Sequence, residues 1–236
     1  MNTDRNKETA DRAQSDQHSG IRRILVMTAV DAERDAVLRG LQGHPGFEVL
    51  SAGVGPVEAA VTTAVVLAEA KHAYDLVVCA GIAGGFKGQA DIGSLVVANE
   101  IIAADLGAET PDGFLTLDEL GFGTARIAVT SELALRVTEA LREAGLQAHS
   151  APVLTLSTVT GTAEAASELA ARIPGAAAEG MEGFGIAAAA RKFGIPVLEI
   201  RSISNSVGPR DKASWRIGDA LKSLEAASTV LMEVLI

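Results

Sequence analysis

The sequence is short of four things, and each shortage removes a class of function. It holds one cysteine, Cys79, so no disulfide can close within the chain and no multi-cysteine zinc site can be built. Basic residues are outnumbered, 20 Lys and Arg against 30 Asp and Glu, leaving a formal charge of −10. A protein that grips nucleic acid through its phosphates needs the opposite balance, so no nucleic-acid partner is expected. No run of about 18 apolar residues appears, so nothing reads as a membrane-spanning helix and no membrane partner is expected. Aromatic residues are only 3% of the chain. The four histidines, His18, His44, His72 and His149, pair with no other His, Cys or carboxylate at ligand spacing, so no metal site is expected.

What is present points to one globular domain that approaches something small. Hydrophobic residues make up 48% of 236, enough for a core that stands without staples. The 24 glycines suit tight turns and close backbone approach. Residues 1–20 are polar, mixed in charge and without an apolar segment. They read as a disordered tail rather than a signal peptide, which makes a cytoplasmic location the default. Residues 21–236 read as a single α/β domain.

Strands are expected at 24–27, 47–51, 76–80, 95–104, 151–157 and 196–203. Helices are expected at 31–41, 56–70, 131–144, 162–172, 181–193 and 214–233. Asp31 is placed to cap the first helix, with Val37, Leu38 and Leu41 as its apolar stripe. Gly81–Gly85 read as a turn, and 105–124 as irregular with a turn at Pro111-Asp112-Gly113. Strands alternating with helices imply a largely parallel sheet covered on both faces.

Several common motifs fail on inspection. Gly53-Val54-Gly55-Pro56-Val57-Glu58 follows a strand and opens a helix, but Glu58 stands where a dinucleotide fingerprint needs its third glycine, and its carboxylate would repel a pyrophosphate. Gly81 to Lys87 carries Phe86 before the lysine and is no P-loop. There is no Gly-x-Ser-x-Gly elbow. Three residues remain at or just beyond the C-terminal ends of strands, where open α/β sheets bind ligands: Glu33, Glu182 and Asn205. Taken singly, a first-turn acid can simply offset a helix dipole, and an Asn after a strand can simply make a turn.

Four segments together carry a more specific signal. They are Ala29-Val30-Asp31-Ala32-Glu33, Gly81-Ile82-Ala83-Gly84-Gly85, Glu179-Gly180-Met181-Glu182-Gly183 and Arg201-Ser202-Ile203-Ser204-Asn205. In this order, over residues 24–235, the chain resembles the purine nucleoside phosphorylase and nucleosidase superfamily, above all the methylthioadenosine/S-adenosylhomocysteine nucleosidases. The resemblance implies a three-layer αβα nucleoside phosphorylase-like domain with a mixed, largely parallel sheet, a small-molecule nucleoside substrate, no cofactor, and a homo-oligomer. Small-residue helices at 162–172 and 181–193 would suit its interface.

The resemblance also implies roles. Glu33 matches the Glu that activates the attacking water, and Gly81, Ile82 and Ala83 match the base-site turn. Met181 and Glu182 match the ribose clamp, whose first Glu is Gly180 here. Ser204 and Asn205 match the strand end, where the family's Asp is replaced by Asn205. The stacking aromatic falls near Val159 or Thr160, and a later aromatic aligns with Trp215, which can stack on a substrate tail or anchor the last helix. The stretch from Ser204 through Pro209-Arg210-Asp211-Lys212 to Trp215-Arg216-Ile217 is similar to that of the futalosine-hydrolysing nucleosidases. That likeness implies release of hypoxanthine, and a cation for the substrate's carboxybenzoyl tail from Arg210, Lys212 or Arg216. The alternatives are a nucleosidase acting on methylthioadenosine, S-adenosylhomocysteine or aminodeoxyfutalosine, and a non-catalytic nucleoside sensor.

Overall fold

A computed structural model describes residues 21–236, so the segment 1–20 read as a tail lies outside the described residues. Ile24 to Met27, none more than 2% exposed, form strand β1 (Ile24–Thr28) with Thr28. Helix α1 (Asp31–Leu41) follows, and here two local expectations fail. Val30, not Asp31, occupies the cap position, because the Asp31 carboxylate is engaged by Arg34 and Ser51. Val37 and Leu41 are buried, but Leu38 faces out. Gly40 takes a place on the buried face, because helix α6 (Ile217–Leu235) crosses so closely that a Cβ there would collide with the Glu225 carbonyl oxygen.

Strand β2 (Phe47–Ser51) leads to α2 (Pro56–Glu69), whose proline sits in the first turn, where its missing N–H costs nothing. Then come β3 (Leu76–Gly85) and β4 (Leu95–Ala103). The segment expected to be irregular contains a separate hairpin, β5 (Gly107–Thr110) and β6 (Gly113–Thr116), turning at the expected Pro111-Asp112-Gly113. The chain continues through β7 (Arg126–Ala128), α3 (Ser131–Glu143), β8 (Ala148–Thr155), α4 (Ala163–Arg172), β9 (Ala178–Gly180), α5 (Gly183–Lys192) and β10 (Val197–Ser206). A short 3₁₀ turn at Lys212–Ser214 precedes α6.

Strand pairing closes a ring. β3 pairs β10, β10 pairs β4, β4 pairs β8, β8 pairs β9, and β9 returns to β3, while β1 and β2 extend the sheet from β3. The β1–β2, β1–β3, β3–β10, β4–β8 and β8–β9 pairs are parallel; β10–β4, β3–β9 and β4–β7 are antiparallel. The sheet is mixed and largely parallel, as expected. Helices α1, α3 and α6 pack together as one layer, and α2 and α5 as another.

Two departures matter for the site. Gly81–Gly85 continue β3 instead of turning, because β10 pairs with all five residues and β9 pairs with the last two. Helix α5 buries Gly183, Gly185, Ala187, Ala189 and Ala190 inside the chain, where Gly185 admits the Pro56 carbonyl of α2. These small residues of α5 are taken up by packing inside the chain, with Gly185 against α2.

Candidate active site

The ends of β1, β3, β9 and β10 open into one cavity of about 330 Å³. Glu33 enters it from the first turn of α1 and is only 3% exposed. One carboxylate oxygen accepts hydrogen bonds from the N–H groups of Ala29 (2.9 Å) and Val30 (3.3 Å) at the end of β1. The other accepts from the Ile82 N–H at 2.8 Å. Burial pushes the Glu33 pKa up. The Arg201 guanidinium and the Ile82 and Ala29 donors oppose that rise, and Glu182 adds to it.

Behind Glu33 lies a buried charge cluster centred on Arg201, which is 1% exposed. Its Nε donates to Glu199 at 2.7 Å, and both terminal nitrogens lie 3.4 Å from the same Glu182 oxygen. One of them is also 3.3 Å from Cys79 Sγ. Burial with unmatched charge is costly, so this guanidinium is held by its carboxylates and stays charged. Three glycines make the space: a Cβ on Gly81 would stand 2.7 Å from Glu33 Oε1 and 2.8 Å from an Arg201 nitrogen; one on Gly180 would stand 2.9 Å from Arg201 Cζ; one on Gly183 would collide with both Glu199 oxygens. Gly81 is thus not a wall of the cavity, as the base-site reading expected, but clearance beneath it.

Glu182, at the start of α5, also accepts from the N–H groups of Gly55 and Met181, both at 3.3 Å. Asn205 sits beyond a bulge in β10, where the register with β3 shifts between Ile203 and Asn205. The Ser204 hydroxyl lies 2.8 Å from Asn205 Oδ1, and Asn205 Nδ2 donates to the Ser206 carbonyl at 3.0 Å. The Ser204 hydroxyl also lies 3.2 Å from the Ala83 carbonyl, and the Asn205 amide keeps its second N–H and a lone pair on Oδ1 to meet a ligand. Trp215 lines the cavity rather than the core, and the Arg210 guanidinium carbon lies 5.0 Å from its ring centroid, a cation–π distance.

The cavity gathers Glu33, Ile82, Ala83, Met181, Glu182, Ser204, Asn205, Arg210 and Trp215. Lys212 and Arg216 are not among its lining residues, nor is any residue of 105–124. Val159 and Thr160 line it with no aromatic ring between them. Sequence reasoning named Glu179 and Arg201 only within its motif segments and gave neither a role: the Glu179 carboxylate accepts from the Thr160 N–H at 2.7 Å and from its hydroxyl, and Arg201 pairs with Glu199, which went unnamed. The available signal was two charges, two residues apart, on one face of an otherwise apolar strand.

The described geometry has known counterparts. Residues 33–236 match the family model of the phosphorylase superfamily. The futalosine hydrolase of Streptomyces coelicolor is 51% identical over 230 residues, covering 90% of this chain and 96% of that protein. The futalosine hydrolase of Acidothermus cellulolyticus is 46% identical over 220 residues, 88% and 89% of the two chains. The crystal structure of 5'-methylthioadenosine/S-adenosylhomocysteine nucleosidase from Neisseria meningitidis, in complex with methylthio-immucillin-A, superposes with a TM-score of 0.76 at 23% identity, covering 90% and 98%. The chain belongs to the phosphorylase superfamily.

Proposed function

We propose that this chain hydrolyses the N-glycosidic bond of futalosine, releasing hypoxanthine and leaving dehypoxanthine futalosine, as a step of menaquinone biosynthesis. The observation that carries this reading is the 51% identity across 90% of the chain with a futalosine hydrolase. The cavity chemistry supports it. Cleavage builds positive charge on the ribose and negative charge on the departing purine. Glu33 is the general base that takes a proton from water, and its carboxylate also faces the forming ribosyl cation. Glu182, steadied by Arg201, accepts hydrogen bonds from the ribose hydroxyls, and Met181 packs on the sugar. Asn205 presents its N–H to N7 and O6 of the base, where leaving-group charge collects. Arg210, stacked on Trp215 at the cavity wall, meets the carboxylate of the tail.

Water is the proposed nucleophile because the buried arginine nearest Glu33 is already engaged by carboxylates, and a phosphate would have to displace them. Purified protein given futalosine should release hypoxanthine at the same rate with and without phosphate. A ribose 1-phosphate-type product would refute hydrolysis. Cleavage of methylthioadenosine is the second reading, favoured by the Met181–Glu182 clamp and the shared fold. Asn205 speaks against it, because a 6-amino group would point a donor at a donor.

A cytoplasmic location and a homo-oligomeric state belong to the same proposal. The oligomer is supported by an exposed apolar row beginning beside the cavity, Val54, Val57, Val61 and Val65, each at least half exposed.

A further inference from the structure

Glu199 is an ionisable group with no route to the substrate. It is fully buried in β10 and does not line the cavity. Yet it makes the shortest contact to Arg201, accepting from Nε at 2.7 Å. The cluster it belongs to is unbalanced. Arg201 is the one guanidinium, among the described residues, facing the carboxyls of Glu33, Glu182 and Glu199 and the thiol of Cys79. With every carboxyl ionised, two negative charges would lie buried without compensation, and desolvation makes that costly. A proton held on one carboxyl removes half of the excess.

The donors around each carboxyl decide where that proton sits. Glu33 accepts from the N–H groups of Ala29, Val30 and Ile82. Glu182 accepts from Gly55 and Met181 and faces both terminal nitrogens of Arg201. Glu199 has only Arg201 Nε and, at 3.9 Å, the Cys79 thiol, and both donate to the same oxygen. Its second oxygen is buried against Gly183 with no partner among the described residues. A carboxylate oxygen stripped of water and given nothing in return disfavours the charged form. Burial accordingly pushes the Glu199 pKa up; Arg201 and the thiol oppose the rise, and Glu182 adds to it.

We propose that Glu199 is a positioning residue that works as the neutral acid: it anchors Arg201 without claiming its charge, leaves the guanidinium to Glu182 and Glu33, and turns the site off when it ionises. This rests on the reading of Glu33 as the base acting on futalosine. It adds a second titration on the alkaline side. Carboxyls whose surroundings differ in this way titrate apart. Glu33, with three N–H donors, ionises first, and Glu199 follows at higher pH. Once ionised, Glu199 competes with Glu182 for one guanidinium. The two 3.4 Å contacts to Glu182 are the longer ones and yield, which loosens the group that holds the ribose. The charged or titratable groups facing Glu199 are Arg201 on its own strand, Cys79 from β3 and Glu182 from the start of α5. Arg201 stays charged, and burial keeps the Cys79 thiol protonated by raising its pKa.

The test measures kcat and KM on futalosine against pH for the full-length wild-type protein, Glu199→Gln and Glu199→Leu. The wild-type kcat should fall on the alkaline side. The carboxamide is a permanently neutral isostere that still accepts from Arg201 Nε. Glu199→Gln should therefore keep most of the wild-type kcat at the optimum, and its alkaline limb should vanish or move up by at least about one pH unit. Glu199→Leu offers no acceptor, so kcat should fall about 10- to 100-fold at every pH, more than KM rises, as expected when a reacting group is misplaced. An unmoved limb in Glu199→Gln, a loss there as large as in Glu199→Leu, a folded Glu199→Leu at full kcat, or a wild-type profile with no alkaline limb each overturns the proposal. A second readout needs no substrate. At pH 7 the infrared spectrum of the wild-type protein should carry a protonated-carboxyl C=O band that Glu199→Gln lacks, and identical spectra in that region overturn the proposal. If the wild-type protein releases no hypoxanthine from futalosine, the functional reading itself fails, which is a different result from an unmoved limb.

Discussion

Two side chains from different elements divide the proposed reaction between them: Glu33 works on water and sugar, Asn205 on the base. Glu33→Gln should lower kcat by about 10²–10⁴, the usual worth of a positioned general base, with the thermal unfolding transition still cooperative. The base must be ionised to act. Burial raises its pKa, so kcat/KM should fall as pH drops through a value above the ordinary 4.5, and a limb at or below 4.5 would remove Glu33 from the role. Asn205→Asp should shift preference toward 6-amino substrates by about one to two orders of magnitude, since an unmatched buried partner costs roughly 1–3 kcal/mol. Unchanged preference in competition kinetics would sink that assignment. Glu199 makes a separate prediction about stability. It is fully buried, and its second oxygen has no hydrogen-bond partner among the described residues. Burial raises its pKa, so the native state binds this proton more tightly than the unfolded chain does. That contribution is complete below 4.5 and is lost as pH rises through the native-state value. Glu199→Gln cannot lose it, so the wild-type Tm should fall relative to the variant as pH is raised above 4.5, and parallel curves would show that Glu199 does not titrate.

Strands β3, β9 and β10 can meet around Arg201 only because glycine occupies positions 81 and 180, on β3 and β9. Gly180→Ala would push a methyl against the guanidinium, which is anchored by Glu199 and Glu182 and has little room to yield. Overpacking of this kind costs about 1–3 kcal/mol. The variant should melt lower, and it should also lose kcat on futalosine, because a displaced Arg201 releases Glu182; full activity in a destabilised Gly180→Ala protein would separate the cluster from catalysis. These same glycines mark where sequence reading stopped short. The apolar runs of β1, β4 and β10 and the periodic helices were legible, because burial on both faces of a strand and on one face of a helix leaves a pattern. Gly81–Gly85 looked like a turn because a glycine run gives no side-chain pattern, and only the approach of Glu33, Arg201, Val207 and Ala90 explains why strand residues there must be small. The three-residue strands β7 and β9 are too short for any period. β9 went unseen as a strand, although one of the four motif segments held its Glu179 and Gly180 and the segments had already located Glu33, Glu182 and Asn205.

The two helical layers differ in how completely they are covered. On one side α6 lies across α1 and buries both against the sheet. On the other, α2 covers α5 but turns Val57, Val61 and Val65 outward, four residues apart, with Val54 three residues earlier, just before the helix; their exposures run from 50% to 74%. Such a stripe is where a helix packs against another helix. A contiguous apolar row of this kind on an acidic chain marks a contact surface rather than a solvated face. The proposed homo-oligomer uses it, which ties assembly to the site: the helix begins one residue after Gly55, whose N–H holds Glu182. At micromolar concentration the protein should sediment at twice its 24.2 kDa mass or more. The double variant Val57→Lys, Val61→Lys introduces like charges on the row and should sediment as a monomer with an intact fold. Because the Gly55 contact lies inside the chain, the monomer should keep Glu33 chemistry but bind futalosine less well, seen as a raised KM with a smaller change in kcat. A wild-type protein that sediments at 24.2 kDa would leave the valine row without a partner copy and remove assembly from the account of the site.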